Sequence, residues 1–180
     1  TSCSALSLCP HAHTPGAGPP GPHSDSARLS PISRVPQNFE AAGFPGIDKE
    51  FAEVSDFFAP VAESGIVADL SCGSGLMSRR LLSCGRYRRV LALDYSEAML
   101  QETRRRCEEE RLATDALTLI RADASSLPLV SSSLDALHAG AALHCWPLLE
   151  PSLAEVARSL KPGGRFFATT FFEGGDPLLT

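Results

Sequence analysis

Three aspartates end short apolar runs: Asp69 in IVADL, Asp94 in VLALD and Asp123 in LTLIRAD. The first is followed by Ser71-Cys72-Gly73-Ser74-Gly75. A glycine turn lets the backbone approach a ligand closely, because no Cβ intervenes. Gly75 and Asp94 lie 19 residues apart. A carboxylate about 20 residues beyond a glycine loop suits a pair of ribose hydroxyls, since it accepts from both. Asp123, after the third run, is suited to accept from an adenine amino group. The pattern points to a nucleoside-bearing cofactor.

Two details narrow the class. A dinucleotide fingerprint reads G-x-G-x-x-G, with room for pyrophosphate at a helix N-terminus. Here the residue three past Gly75 is Ser78, so the third glycine is missing. Asp69 also stands before the loop, where negative charge repels pyrophosphate but suits an ammonium or a sulfonium.

The elements that must position these residues follow from periodicity. Phe51, Val54, Phe58 and Val61 recur at helical spacing, predicting a helix over 48–63 that opens on Asp48 and ends near Pro60. Ile66 to Leu70 reads as a buried strand, followed by the glycine turn and a helix from Leu76 to Ser83 stopped at Gly85. Val90 to Leu93 is a second strand, and a helix opens near Ser96 and runs to about Leu112. Leu117 to Arg121 and Leu134 to Ala139 are further strands. Residues 151–160 form an amphipathic helix with Pro151 in its first turn. Lys161-Pro162-Gly163-Gly164 reads as a helix stop and a turn, and RFFATTFF is a fifth strand. Alternating helices and short apolar strands predict an α/β fold with a doubly wound parallel sheet. Ligands bind such sheets at the carboxyl ends of the strands.

VADLSCGSG, LALDYSEAML, RADASSLPLVSSSLDALHAGAALHCW and LKPGGRFFATTF resemble the successive motifs of class I S-adenosylmethionine-dependent methyltransferases of the ubiquinone-methyltransferase-like group. NFEAAGFPGIDKEF, DLSCGSG and HAGAALHCWP are similar to the chloroplast methyltransferases of plants and algae. The resemblance covers about residues 37–173 and implies a Rossmann-like sheet of order 3-2-1-4-5. It implies that Asp69, Ser71, Gly73 and Gly75 hold the methionine end of S-adenosylmethionine and of its product S-adenosylhomocysteine. Asp94 would take the ribose, with Tyr95 and Ser96 lining the same pocket. Asp123 and Ala124 would meet the adenine, and Met99 is either an adenine contact or a core residue. Ala139, Gly140 and Ala141 would lie beneath the methyl group.

Methyl transfer from a sulfonium is an in-line displacement with a good leaving group, so positioning supplies much of the catalysis, up to about 7–11 kcal/mol in model systems. A base is needed only for a weakly acidic acceptor. His144, after the fourth strand, is the candidate catalytic residue, while His138, within that strand, reads as structural. Ser71 stands where many relatives have a further glycine. Complete relatives carry two more strands after the fifth, so the chain reads as C-terminally truncated, a fragment. A degenerate methyltransferase-like module and a nicotinamide-dependent oxidoreductase share parts of the pattern.

Composition bounds the partners. The chain has 180 residues, 43% apolar and 21% charged, with a formal charge of −5. Net charge gives a nucleic-acid surface no support; the resemblance implies a small-molecule methyl acceptor, lipid-like or quinone in kind. No run of 18 apolar residues exists, which excludes a membrane-spanning helix within this sequence but leaves peripheral membrane contact open. No Cys/His spacing resembles a metal site, so no metal is expected. Residues 1–36 hold 7 of the 14 prolines and one acid, Asp25. They read as disordered, either a linker or the remnant of a transit peptide, ahead of a methyltransferase domain over 37–180. With the resemblance, that composition points to the chloroplast; the alternative is the cytoplasm.

Overall fold

The computed structural model describes residues 46–170. In order, its elements are helix α1 (Ile47–Ala62), strand β1 (Ile66–Leu70), α2 (Leu76–Ser83), β2 (Arg89–Asp94), α3 (Glu97–Glu109), β3 (Leu117–Arg121) and β4 (Leu134–Ala139). A short 3-10 turn (Leu143–Cys145), α4 (Leu149–Ser159) and β5 (Leu160–Ala168) complete it. The sheet is parallel with order β3-β2-β1-β4-β5, as the sequence predicts. The order reverses between β1 and β4, and the crevice at that reversal is where doubly wound sheets take ligands. The readings for residues 1–36, and the Phe171-Phe172 end of the predicted fifth strand, lie outside the described residues.

Strand alternation gives the sheet two faces. Val67, Val90 and Ala136 point to one face and pack on Val54, Phe58, Met77, Leu81 and Cys107 of the three helices α1 to α3. Ala68, Leu70, Leu93 and Leu137 point to the other and pack on Trp146 and Val156. Asp69 and His138 are register partners on β1 and β4. Alternation sends both side chains to the α1 face.

Strand β2 gains Arg89 and Asp94, and α4 runs Leu149–Ser159 rather than 151–160, with Leu160 already in β5; three further boundaries differ more from expectation. Helix α1 starts at Ile47 behind Gly46 (φ 80) and runs two residues past Pro60, whose missing N–H falls in the last turn. Helix α3 ends at Glu109, not Leu112. Arg111 adopts φ 54, while the amides of Leu112 and Arg111 donate to the carbonyls of Cys107 and Glu108. This is the double hydrogen bond of a left-handed helix stop, made with arginine where glycine is usual. The third difference corrects the turn at Lys161-Pro162-Gly163-Gly164, which lies within β5. Leu134 pairs with Leu160 and Ala136 with Arg165, so the extra residues bulge out. Gly163 supplies φ 80, and an edge strand tolerates Pro162.

Candidate functional site

The five residues after β1 fold into a tight left-handed loop. Ser71, Gly73 and Gly75 all take positive φ, at 59, 54 and 73 degrees. The Cys72 amide donates to the Leu93 carbonyl and the Gly75 amide to that of Cys72. Gly75 caps α2, and a Cβ there would lie 2.4 Å from the Thr103 methyl carbon. Thr103 is fully buried and donates its hydroxyl to the Gly73 carbonyl at 3.0 Å. Glycine at 75 therefore lets α3 close against the loop. At Gly73 an added Cβ meets no atom within 4 Å, so this turn of backbone faces open space.

Ser71 holds a positive φ that glycine would adopt without strain. A left-handed backbone costs an L-residue about 1–2 kcal/mol. In return the Ser71 hydroxyl accepts a 2.9 Å bond from the Trp146 indole N–H. Ser71→Ala keeps the strained backbone and loses that bond, whereas Ser71→Gly loses the bond and relieves the strain. In urea unfolding the glycine variant is expected to exceed the alanine variant by about 1 kcal/mol.

Asp94 ends β2 and stitches the loop to the next helix. Its Oδ2 accepts the Gly73 amide at 2.8 Å and its Oδ1 the Ser96 amide at 2.8 Å. Tyr95 is 39% exposed beside it, Ser96 precedes α3, and Met99 is half-buried one turn on. The Ala122 amide donates to the Asp94 carbonyl, tying the end of β3 to the end of β2. Asp123 follows, exposed, its Oδ1 accepting the amide and hydroxyl of Ser125 at 2.8 Å each, with Ala124 half-buried behind it.

Ala139, the last residue of β4, is buried; beyond it Gly140 is half-buried and Ala141 takes φ 48. Thr169 holds this turn: its hydroxyl accepts the Ala141 amide at 2.8 Å, and its amide donates to the Ala139 carbonyl. His144 is half-buried with Nδ1 3.2 Å from the Thr170 hydroxyl, and burial pushes its pKa below the ordinary value.

These groups come together at the carboxyl edge of β1, β2, β3 and β4. The Asp69 carboxylate is set apart, with the residue only 2% exposed. Its Oδ2 accepts the Ser78 hydroxyl at 2.5 Å and its Oδ1 contacts His138 Nδ1 at 2.8 Å. On the far side of the ring, Nε2 lies 3.3 Å from Glu50 Oε1. Carboxylates only accept, so a doubly protonated ring satisfies both contacts. Burial alone would lower the His138 pKa, but the hydrogen bonds to Asp69 and Glu50, with their charges, outweigh it and raise it to about 9. The assembly Asp69, His138 and Glu50 then carries one net negative charge. Neither Glu50 nor the Trp146 bond to Ser71 is among the residues read from sequence.

Cys72, within the loop, is no nucleophile. Burial, then the charges of Asp69 and Asp94, push its thiol pKa well up, so the thiol stays protonated. Among the described residues no three His, Cys, Asp or Glu side chains are grouped to hold a metal ion, and no helix is long and apolar enough to cross a membrane. A cleft of about 370 Å³ opens on the flank of α3 and β3, lined by Glu97, Leu100, Gln101, Arg104, Leu119 and Arg121. It does not include the glycine loop.

A parallel sheet of order 3-2-1-4-5 flanked by helices is the Rossmann-like fold of S-adenosylmethionine-dependent methyltransferases. A profile of the methyltransferase domain family matches residues 68–168, and the chain belongs to that family. It is 46% identical over 137 residues to an uncharacterised chloroplastic methyltransferase of Arabidopsis thaliana, covering 75% of this chain and 39% of that protein. It is 37% identical over 123 residues to the demethylmenaquinone methyltransferase of Clavibacter sepedonicus, covering 67% of this chain and 46% of that one. The chain thus spans less than half the length of either relative. Among solved structures it resembles a phosphoethanolamine N-methyltransferase of Haemonchus contortus bound to S-adenosylhomocysteine. The TM-score there is 0.60 at 24% identity, over 69% of this chain and 28% of the other.

Proposed function

We propose that residues 37–180 are the cofactor-binding part of an S-adenosylmethionine-dependent methyltransferase acting on a small, lipid-like acceptor of the prenyl-quinone kind in a plastid. The observation that carries the cofactor reading is the Asp94 carboxylate at the carboxyl end of β2, joined to the Gly73 amide at 2.8 Å and so set against the glycine loop. The donor set fits the cofactor: Asp94 for the ribose, open backbone at Gly73 for the methionine end, and a negatively charged floor for a cationic ligand. The bound cofactor supplies the activated methyl group on its sulfonium.

The chain's own residues bind and orient. Ser71, Gly73 and Gly75 shape the loop along the methionine end, and Asp69 ties β1 to α2, the helix that follows that loop, through Ser78. Tyr95, Ser96 and Met99 flank the ribose and adenine. Asp123, with Ala124, accepts at the adenine amino group. Ala139, Gly140 and Ala141 form the wall nearest the transferred methyl. His144 takes the acceptor's proton; burial lowers its pKa, so the imidazole is neutral near pH 7 and able to accept one. The quinone-like acceptor and the plastid rest on the likeness to the demethylmenaquinone and chloroplastic relatives. Residues 1–36 are, on this reading, a transit-peptide remnant.

The test is transfer of labelled methyl to a panel holding a prenylated hydroquinone, a fatty acid and a polar amine. Transfer to the hydroquinone is expected, and His144→Ala is expected to lower turnover about 100-fold with cofactor affinity unchanged. Labelling of the polar amine alone would overturn the acceptor assignment. No labelling at all, with cofactor bound, would favour a non-catalytic module.

A further inference from the structure

The methionine end of the proposed cofactor carries an ammonium, and the Asp69 carboxylate that the motif offers for it has both oxygens engaged inside the protein. The neighbouring Glu50 is differently placed. Its Oε1 accepts from the Thr169 hydroxyl at 3.1 Å and lies 3.3 Å from His138 Nε2. Its Oε2 accepts no hydrogen bond among the described residues. The side chain is 13% exposed and so keeps a path to solvent. A Cβ built on Gly140 would sit 3.3 Å from Glu50 Oε1 and 2.7 Å from the His138 ring. Glu50 therefore lies against the backbone of the turn that walls the methyl site, and glycine at 140 gives it room.

We propose that Glu50, from α1, supplies the carboxylate that meets the cofactor's ammonium, with His138 and Thr169 holding its Oε1 so that Oε2 faces the ligand. This rests on the S-adenosylmethionine reading above. Thr169 also binds the Ala141 amide, so one hydroxyl sets both the carboxylate and the turn. Helix α1 thereby becomes part of the cofactor site as well as a cover for the sheet.

Glu50→Gln is a near-isosteric test. The amide oxygen still accepts from His138 and Thr169, while the charge and the free carboxylate oxygen are lost. Two ligands separate the outcomes: S-adenosylhomocysteine, which carries the ammonium, and 5′-methylthioadenosine, which lacks the amino-acid portion. Calorimetric titration of the full 180-residue chain is expected to show S-adenosylhomocysteine weakened about 10- to 100-fold, the range of one charge-assisted hydrogen bond. The affinity for 5′-methylthioadenosine should stay within about twofold. Equal weakening of both ligands, or of neither, would overturn the assignment to Glu50. If the wild-type chain binds neither nucleoside, the cofactor reading itself fails, which is a distinguishable result. If Glu50→Gln loses its cooperative thermal transition, Thr169→Val carries the test, since it frees Glu50 without removing charge. A selective loss of S-adenosylhomocysteine binding supports the proposal there, and an equal or absent loss overturns it.

Discussion

Replacing Asp94 with alanine is expected to weaken S-adenosylhomocysteine binding by at least about 100-fold. Two charge-assisted hydrogen bonds to the ribose would be lost, each worth about 1.5–3 kcal/mol. One hundredfold corresponds to about 2.7 kcal/mol, so the sum exceeds it even after partial compensation by water. A second effect adds to this. Asp94 also accepts the Gly73 and Ser96 amides, so its removal frees the loop that shapes the methionine end. Asp94→Asn should fall between, because one oxygen is replaced by a donor that cannot accept either amide. Calorimetry gives the affinity, and hydrogen exchange at the Gly73 amide reports the loop. Faster exchange with unchanged affinity would mean that Asp94 is only a loop anchor and that the ribose lies elsewhere.

His138→Leu is expected to destabilise the fold by about 3–5 kcal/mol, the cost of leaving one partner of a buried ionic pair uncompensated. Asp69, 2% exposed, would keep only the Ser78 hydroxyl. The pH dependence carries a separate signature. A histidine raised from 6.5 unfolded to about 9 folded contributes stability that is fully present below pH 6.5 and lost as pH rises through 9. The linkage amounts to roughly 3 kcal/mol. Urea unfolding of the wild type at pH 6, 7.5 and 9 should therefore show falling stability, and the variant should lack most of that slope. The thiols of Cys72 and Cys107, raised chiefly by burial, lower stability in the same direction at high pH. They persist in the variant, so the difference between the two chains isolates His138. A variant with wild-type stability and an unchanged slope would show that the ring is not charged.

Local chemistry made the carboxyl edge of the sheet readable from the chain. IVADL, LTLIR and LDALHA are apolar runs bounded by turn residues, and their strands end where those runs end. Those strand ends and that of β2 place the glycine loop, Asp94 and Asp123 at the ligand edge, whereas Asp69, one residue inside β1, is buried. What was hidden depends on distant partners or on unusual residues. The end of α3 is set by Arg111 in a left-handed conformation, where no glycine marks it. The β5 bulge hides in a Pro-Gly-Gly run whose composition is that of a turn. The contact of Asp69 with His138 spans 69 positions and depends on the register of β1 against β4. Trp146 reaches Ser71 across 75. Glu50 left one trace: with Val54, Phe58 and Ala62 it recurs every four residues, so a carboxylate occupies the buried stripe of α1.

Whether this loop and its acids bind S-adenosylmethionine is decided by calorimetric titration of the 180-residue chain with S-adenosylhomocysteine against NADH. Saturable binding of S-adenosylhomocysteine at micromolar concentration, with none of NADH, is the predicted result. Binding of NADH alone, or of neither by a chain that unfolds cooperatively, would contradict it.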